Sequence, residues 1–290
     1  MHPDFQKIFA APGSLKPLKY DGTRYGVQWK DGVLKTADGL VLFPVREGIP
    51  DFVPTSVPAW SEKDIDEIRK GDWIRRNWES QIERMQTNLK HKEFCKNIAE
   101  YNGLILDVAS GPGGGNMPGI VYINSEAKVL MSDLSAKVLH EWQLYLKTHD
   151  LGVNVSFAAF DATNMPIHSN SFDIVTSYGG FSNIPNTDKA LVETYRILKK
   201  RGLLYVCEGK ITQESFSKLP KNVQIKWREK ISHLKTNYEE LIKKAGFSIT
   251  SYFENAEKAL SPDEADLPAM AAKYGVILYY VNCYICAEKK

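Results

Sequence analysis

No apolar run in the 290-residue chain approaches the roughly 18 residues that cross a bilayer, so a spanning helix is not expected. The stretch Met1-His2-Pro3-Asp4-Phe5-Gln6-Lys7 lacks the apolar segment of a secretory leader, and a cytoplasmic location is expected. Excess charge of one sign is missing too. Thirty-seven Lys and Arg oppose thirty-five Asp and Glu, a net charge of +2 that creates no strong field for nucleic acid. Cysteine is scarce: Cys95, Cys207, Cys283 and Cys286 are the full set. The last two have C-x-x-C spacing inside a continuous β-prone run. Residues three apart on a strand face opposite ways, so the two thiols are not expected to share a ligand. No second pair completes a zinc site, and no metal is assigned.

What is present is ordinary for a globular chain, 43% hydrophobic and 25% charged, with length for one large domain and a small one. Residues 1–57 alternate short β-prone pieces with Asp21-Gly22, Asp31-Gly32 and Asp38-Gly39. Such dipeptides between β-prone runs are expected to be hairpin turns, giving a small antiparallel β domain. Residues 54–58 read as a linker into a second unit, 58–290. Ser61-x-x-Asp64 is expected to cap a helix, and Ile65, Ile68, Ile74, Trp78, Ile82, Met85 and Leu89 continue at helical spacing, with Gly71 dividing two helices. These helices, which carry Trp73, are expected to cover a cleft.

The chain is organised around residues 103–116, where Leu104-Ile105-Leu106-Asp107 leads into Val108-Ala109-Ser110-Gly111-Pro112-Gly113-Gly114-Gly115. This reads as a buried strand that ends in an acid and opens into a glycine turn. Further apolar runs of strand length end near Asp133, Asp161, Tyr178 and Glu208, with helical stripes between them, and two more strands are expected near 247–253 and 276–287. Alternation of this kind gives βαβ units and a mostly parallel sheet whose ligands sit at the carboxyl ends of its strands. A capping box at Thr236-x-x-Glu239 is expected to open the last helix.

A glycine turn followed by an acid at the next strand end suits two cofactor classes. A dinucleotide wants G-x-G-x-x-G, but Asn116 stands at the third glycine, and Asp107 before the turn would repel a pyrophosphate. An acid there suits a ligand with a positive group, such as the ammonium and sulfonium of S-adenosylmethionine.

At these residues the chain resembles the class I S-adenosylmethionine-dependent methyltransferases, of the type 11 kind. Asp107-x-Ala109-x-Gly111-x-Gly113 meets D-x-G-x-G-x-G with alanine for the first glycine, a change expected mainly to narrow the loop. Asp133-Leu134-Ser135, Asp161-Ala162 with Met165-Pro166 and Ser171-Phe172-Asp173, and Arg196-Ile197-Leu198-Lys199-Lys200-Arg201-Gly202 resemble its later elements. The resemblance implies a Rossmann-like, seven-stranded α/β sheet, mostly parallel with helices on both faces. It implies S-adenosylmethionine as cofactor, held by Asp107, Ala109, Ser110, Gly111, Pro112, Gly113, Asp133, Leu134, Asp161, Ala162 and Tyr178. It puts Asp133 on the ribose and Asp161 and Ala162 at the adenine. Acceptor-pocket candidates are Trp73, Gly179, Phe181, Asn183 and Glu208, and no catalytic base is assigned. Residues 216–234, with Trp227, are an insertion that could help close the pocket.

Residues 43–53 also resemble the closing segment of zinc-ribbon-like domains found in activators of tRNA methyltransferases and before some rRNA methyltransferases, here without the cysteines. Three functions therefore stay open: methyl transfer to a small molecule, RNA methylation with residues 1–57 docking the RNA, and a non-catalytic cofactor-binding subunit of a partner.

Overall fold

The computed structural model describes residues 1–57, 60–230, 237–263 and 266–290, without the side chains of 229 and 230. Near the N-terminus, β1 (Leu18–Tyr25), β2 (Gln28–Thr36), β3 (Leu42–Arg46) and β4 (Ile49–Pro50) form an antiparallel sheet in that order. Of the three expected Asp-Gly turns, only Asp38-Gly39 is one. Asp21-Gly22 and Asp31-Gly32 lie inside β1 and β2, where Gly22 pairs with Gly32 beside a bulge. A Cβ on either glycine would collide with the facing strand, so these glycines serve a close backbone approach. The chain reverses instead at Gly26, whose φ is 56°.

Three helices follow: α1 (Glu62–Lys70), α2 (Trp73–Thr87) and α3 (Leu89–Ala99). Ser61 and Asp64 form the reciprocal cap expected of α1. The sequence reading left α3 unassigned. Asn88 starts it by accepting from the His91 N–H, and its buried face includes His91 among Phe94, Cys95 and Ile98, which breaks the apolar stripe.

The large sheet contains β5 (Leu104–Asp107), β6 (Lys128–Asp133), β7 (Ser156–Ala159), β8 (Phe172–Tyr178), β9 (Leu198–Ile211), β10 (Phe247–Glu254) and β12 (Tyr279–Lys289), with β11 (Lys258–Ala259) paired to β12. Its order is β10-β12-β9-β8-β5-β6-β7; β12 is antiparallel to both neighbours, and the ladders from β9 to β7 are parallel. The order reverses at β5 and β8, which makes their carboxyl ends the topological switch point. Along the chain come α4 (Met117–Ile123), α5 (Ala136–Thr148), α6 (Thr187–Ile197), α7 (Gln213–Ser217), α8 (Lys221–Lys230), α9 (Tyr238–Lys244) and α10 (Asp266–Ala272). Thr236 lies outside the described residues, and Asn237 caps α9 through the Glu240 N–H. Part of the 216–234 insertion lies outside them as well. Its described part packs Phe216, Leu219, Val223 and Trp227 on Leu267, Ala271 and Leu278.

Helices α1 to α5 cover one sheet face, with Ile65, Met85, Phe94, Ile120 and Trp142 buried against Ile105, Met131 and Tyr205. The other face buries Leu106, Val175 and Val206 beneath α6, α9 and the N-terminal segment, whose Phe5, Phe9, Trp29 and Phe52 join the same core. Backbone bonds tie that segment to the large sheet: Phe52 N–H donates to the Ala159 carbonyl at 2.9 Å, and Ala10 N–H to that of Pro166 at 2.9 Å. Among the described residues, no helix is long and apolar enough to cross a membrane.

Phe9 tests this shared core. Phe9→Ala is expected to cost about 3–4 kcal/mol and lower the melting midpoint of the whole chain by roughly 6–12 °C. A separate early transition, with the main one unmoved, would show that residues 1–57 melt on their own.

Candidate active site

Asp107 ends β5 with its side chain fully buried. Its Oδ2 accepts from the backbone N–H groups of Asn116 and Met117, each at 2.8 Å, so the carboxyl closes the glycine turn onto the start of α4. Gly115, with φ 59°, leaves no room for a side chain, because a Cβ would collide with this carboxyl. The rest of the turn is fixed by polar contacts. Ser110 Oγ donates to the Asp107 carbonyl at 3.1 Å, and Trp142 Nε1 of α5 donates to the Gly111 carbonyl at 3.1 Å. From the covering helix α2, Asn77 Nδ2 donates to the Pro112 carbonyl at 3.0 Å and Gln81 Nε2 to that of Gly115 at 3.2 Å.

The next two strands put acids alongside. Asp133 Oδ2 accepts from the Gly111 N–H at 3.0 Å and its Oδ1 from the Ser135 N–H at 3.0 Å, which orients the carboxyl beside the turn. Burial raises its pKa against these bonds. Leu134 beside it is half-exposed. Asp161, just past β7, accepts from the Thr163 N–H at 2.7 Å, and Ala162 is buried. The fold thus gathers Asp107, Asp133 and Asp161 at the ends of three adjacent strands around one turn.

Ala109 stands at the pattern's first glycine with φ 52°, in the left-handed region that alanine avoids. The change therefore does more than narrow the loop: it holds an alanine in glycine's conformation.

Around the glycine turn, three buried acceptor oxygens have no partner among the described residues: Asp107 Oδ1, Asn116 Oδ1 and Gln81 Oε1. Burial pushes the Asp107 carboxyl up to about 8 despite its two backbone donors. Unsatisfied acceptors and a buried acid suit a ligand that brings N–H donors and positive charge, and they oppose a pyrophosphate. An aminoacyl sulfonium fits this donor set.

The acceptor-pocket candidates fall in different places. Tyr178 ends β8, with the Arg84 guanidinium 4.8 Å above its ring and His91 edge-on at 5.6 Å. Gly179 has φ 65° with open space where a side chain would be, and its carbonyl accepts from Asn183 Nδ2 at 2.7 Å. Phe181 is core, with a fully buried ring, and contributes only its N–H, which donates to Glu208 Oε1 at 2.9 Å. Glu208 is buried with Oε2 unpartnered, and burial raises it to about 7. Trp73 lies away from this group. It is 39% exposed and lines a cavity of about 530 Å³ between α2 and the glycine turn, with Arg76, Asn77, Ser80, Pro112 and Gly113. Asn77, Gln81 and Arg84 escaped the sequence reading. Their i, i+4, i+7 spacing on α2 marks one polar face, although no apolar pattern points to it.

The strand order, the acid-ended β5 with its glycine turn and the acid at the end of β6 define the class I methyltransferase architecture. Residues 106–206 match a family model described as a methyltransferase domain. The ubiquinone/menaquinone biosynthesis C-methyltransferase UbiE of Rickettsia akari is 34% identical over 131 residues, covering 43% of this chain and 52% of that protein. UbiE of Hahella chejuensis is 33% identical over 104 residues, covering 36% and 42%. The chain thus spans about half the length of the curated relatives it matches. Among solved structures, a Bacillus halodurans C-125 protein described provisionally as a methyltransferase superposes with a TM-score of 0.55 at 19% identity, over 69% of this chain and 98% of that one. YcgJ from Bacillus subtilis gives 0.50 at 14% identity, over 69% and 97%. Residues 106–206 thus match a methyltransferase-domain family model, and the fold around them is that of the class I methyltransferases, which take S-adenosylmethionine as cofactor.

Two outcomes follow for the apo protein. The Asp107 carboxyl is protonated in the fold up to about pH 8, whereas the unfolded chain releases that proton near pH 4. Stability is therefore greatest below the lower value and falls between the two, by up to about 1.4 kcal/mol per pH unit for one such group. Thermal midpoints measured from pH 5 to 8 should decline, less steeply in Asp107→Asn. Separately, Ala109→Gly should raise the midpoint by roughly 2–3 °C, through about 1 kcal/mol of relieved backbone strain.

Proposed function

We propose that the protein transfers the methyl group of S-adenosylmethionine to a small-molecule acceptor. The unpartnered oxygens around the Asp107 turn carry the reading, because they ask for a cationic, donor-rich ligand. The bound cofactor supplies an electrophilic methyl on a sulfonium. The protein's own part is placement: Asp107 and Gln81 receive the ammonium, Asp133 the ribose hydroxyls, and Asp161 with Ala162 borders the adenine. Tyr178 and Gly179 at the end of β8 border the acceptor. In-line displacement needs alignment at near-attack distance and no protein nucleophile.

A small acceptor is favoured by the near-neutral net charge and by α2, which lies over the glycine turn through Asn77 and Gln81. The UbiE relatives are named for C-methylation in quinone biosynthesis, which supports a carbon acceptor here. Residues 1–57 act in this reading as a metal-free packing appendage of the domain that follows.

Calorimetric titration tests the cofactor. Micromolar binding of S-adenosylmethionine and its demethylated product is expected, with NAD not bound and Asp133→Ala at least about tenfold weaker. Binding of NAD alone would overturn the reading, and steeply salt-dependent RNA binding would move the acceptor from small molecule to RNA.

Glu208 supplies the proton acceptor for an acceptor that must lose a proton. Its buried carboxyl titrates near pH 7 with one oxygen unpartnered. Once an acceptor is in hand, Glu208→Gln should lower kcat about a hundredfold and remove the rate limb that rises through pH 7. An unchanged pH profile would leave Glu208 a structural role, through its bonds to Phe181 and Ser182.

A further inference from the structure

Arg84 is the one cation on α2 set against the end of β8, and its surroundings leave it unbalanced. Its Nη1 is closed off from solvent and has no hydrogen-bond partner among the described residues. Of the two acids of α2, Glu79 pairs with Arg75 Nη1 at 2.8 Å, and Glu83 is exposed and makes no ion pair with Arg84 among the described residues. What faces Arg84 is neutral. Tyr178 lies under the guanidinium at 4.8 Å, and His91 packs edge-on against the same ring. Beyond them come the Cys95 and Cys207 thiols and the Tyr280 and Tyr284 hydroxyls, all within reach of the Arg84 charge. The buried carboxyls Asp107 and Glu208 border these groups in turn, with no contact to Arg84 among the described residues. Tyr284 Oη lies 3.4 Å from His91 Nδ1, which ties this wall together.

A guanidinium over a tyrosine face gains a modest cation–π attraction. A buried donor of a charged group left without an acceptor costs at least as much. The pair alone does not account for the arrangement, and an oxyanion seated against Arg84 would. Position supports this. Asn77, Gln81 and Arg84 follow one another along one face of α2, the first two on the cofactor turn and the third over Tyr178, where the acceptor borders the cofactor.

We propose that Arg84 recognises an anionic oxygen on the methyl acceptor, a carboxylate or an ionised hydroxyl, and so selects acidic acceptors over neutral ones. The proposal rests on the methyl-transfer reading above for the location of the acceptor. Arg is suited to it, since its planar fork gives two parallel donors to a carboxylate.

Benzoate and its neutral counterpart benzamide are the probes, titrated into the full chain saturated with S-adenosylhomocysteine. Benzoate should bind at least about tenfold more tightly than benzamide, and the preference should vanish in Arg84→Gln and survive in part in Arg84→Lys. S-adenosylhomocysteine affinity should stay within about threefold in both variants, which also shows that they are folded. Equal binding of the two probes by the wild-type chain overturns the proposal without any variant. So does a benzoate preference that persists in Arg84→Gln. Wild-type binding of S-adenosylhomocysteine without discrimination between the probes removes the anion site and leaves the methyl-transfer reading standing. An Arg84-dependent benzoate preference in a chain that takes up no S-adenosylhomocysteine does the reverse.

Discussion

One carboxyl group holds the cofactor end of this molecule together. Asp107 leaves β5 fully buried and takes the N–H groups of Asn116 and Met117, the first donors of α4, at 2.8 Å each. Those donors have no partner within the helix, so the acid does the work of a cap from across the turn. Every other fixed part of the site leans on the turn it closes. Asp133 accepts from Gly111, Trp142 donates to Gly111, and α2 reaches down with Asn77 and Gln81. A carboxyl so placed meets the cost of burial only in part from these bonds. Its second oxygen is left for a ligand, and structural closure and ligand recognition become the work of one group.

The covering helices show the same economy. One face of α2 meets, in succession, the glycine turn and the ring of Tyr178, so a single helix spans the turn after β5 and the end of β8. A small rotation of α2 would disturb both together. Substitutions that loosen its apolar side, at Ile74 or Met85, would therefore change the geometry of both strand ends as much as stability.

The parallel sheet and its acids were legible because each rests on a strong local signal: apolar runs of strand length, an acid at or just past the end of β5, β6 and β7, glycines directly after the first. The run ending at Glu208 was read too short, since β9 continues to Ile211. Asp107, Asp133 and Asp161 come together through strand order alone. What stayed hidden depends on partners distant in sequence. Gly22 and Gly32 look like turn residues until the facing strand is seen to need the space, and nothing in the local pattern marks His91, which packs against Tyr178 and Tyr284. Ala109 reads as a tolerable replacement because a sequence carries no φ. Phe181 reads as a pocket residue from its place after β8, yet its ring turns into the core and only its N–H faces Glu208.

The attachment of the N-terminal segment also sets the order of assembly. His2 donates its backbone N–H to Ser156 Oγ at 2.8 Å, and Phe52 donates to Ala159 on the outermost strand of the large sheet. These docking points are made long after the residues that use them. At synthesis rates of about 5–20 residues per second, these residues wait roughly 5–30 s for the edge they join. During that time Phe5, Phe9, Trp29 and Phe52 have no core to enter. The segment stays unseated until that edge strand is made, and until then it is a natural client for a chaperone.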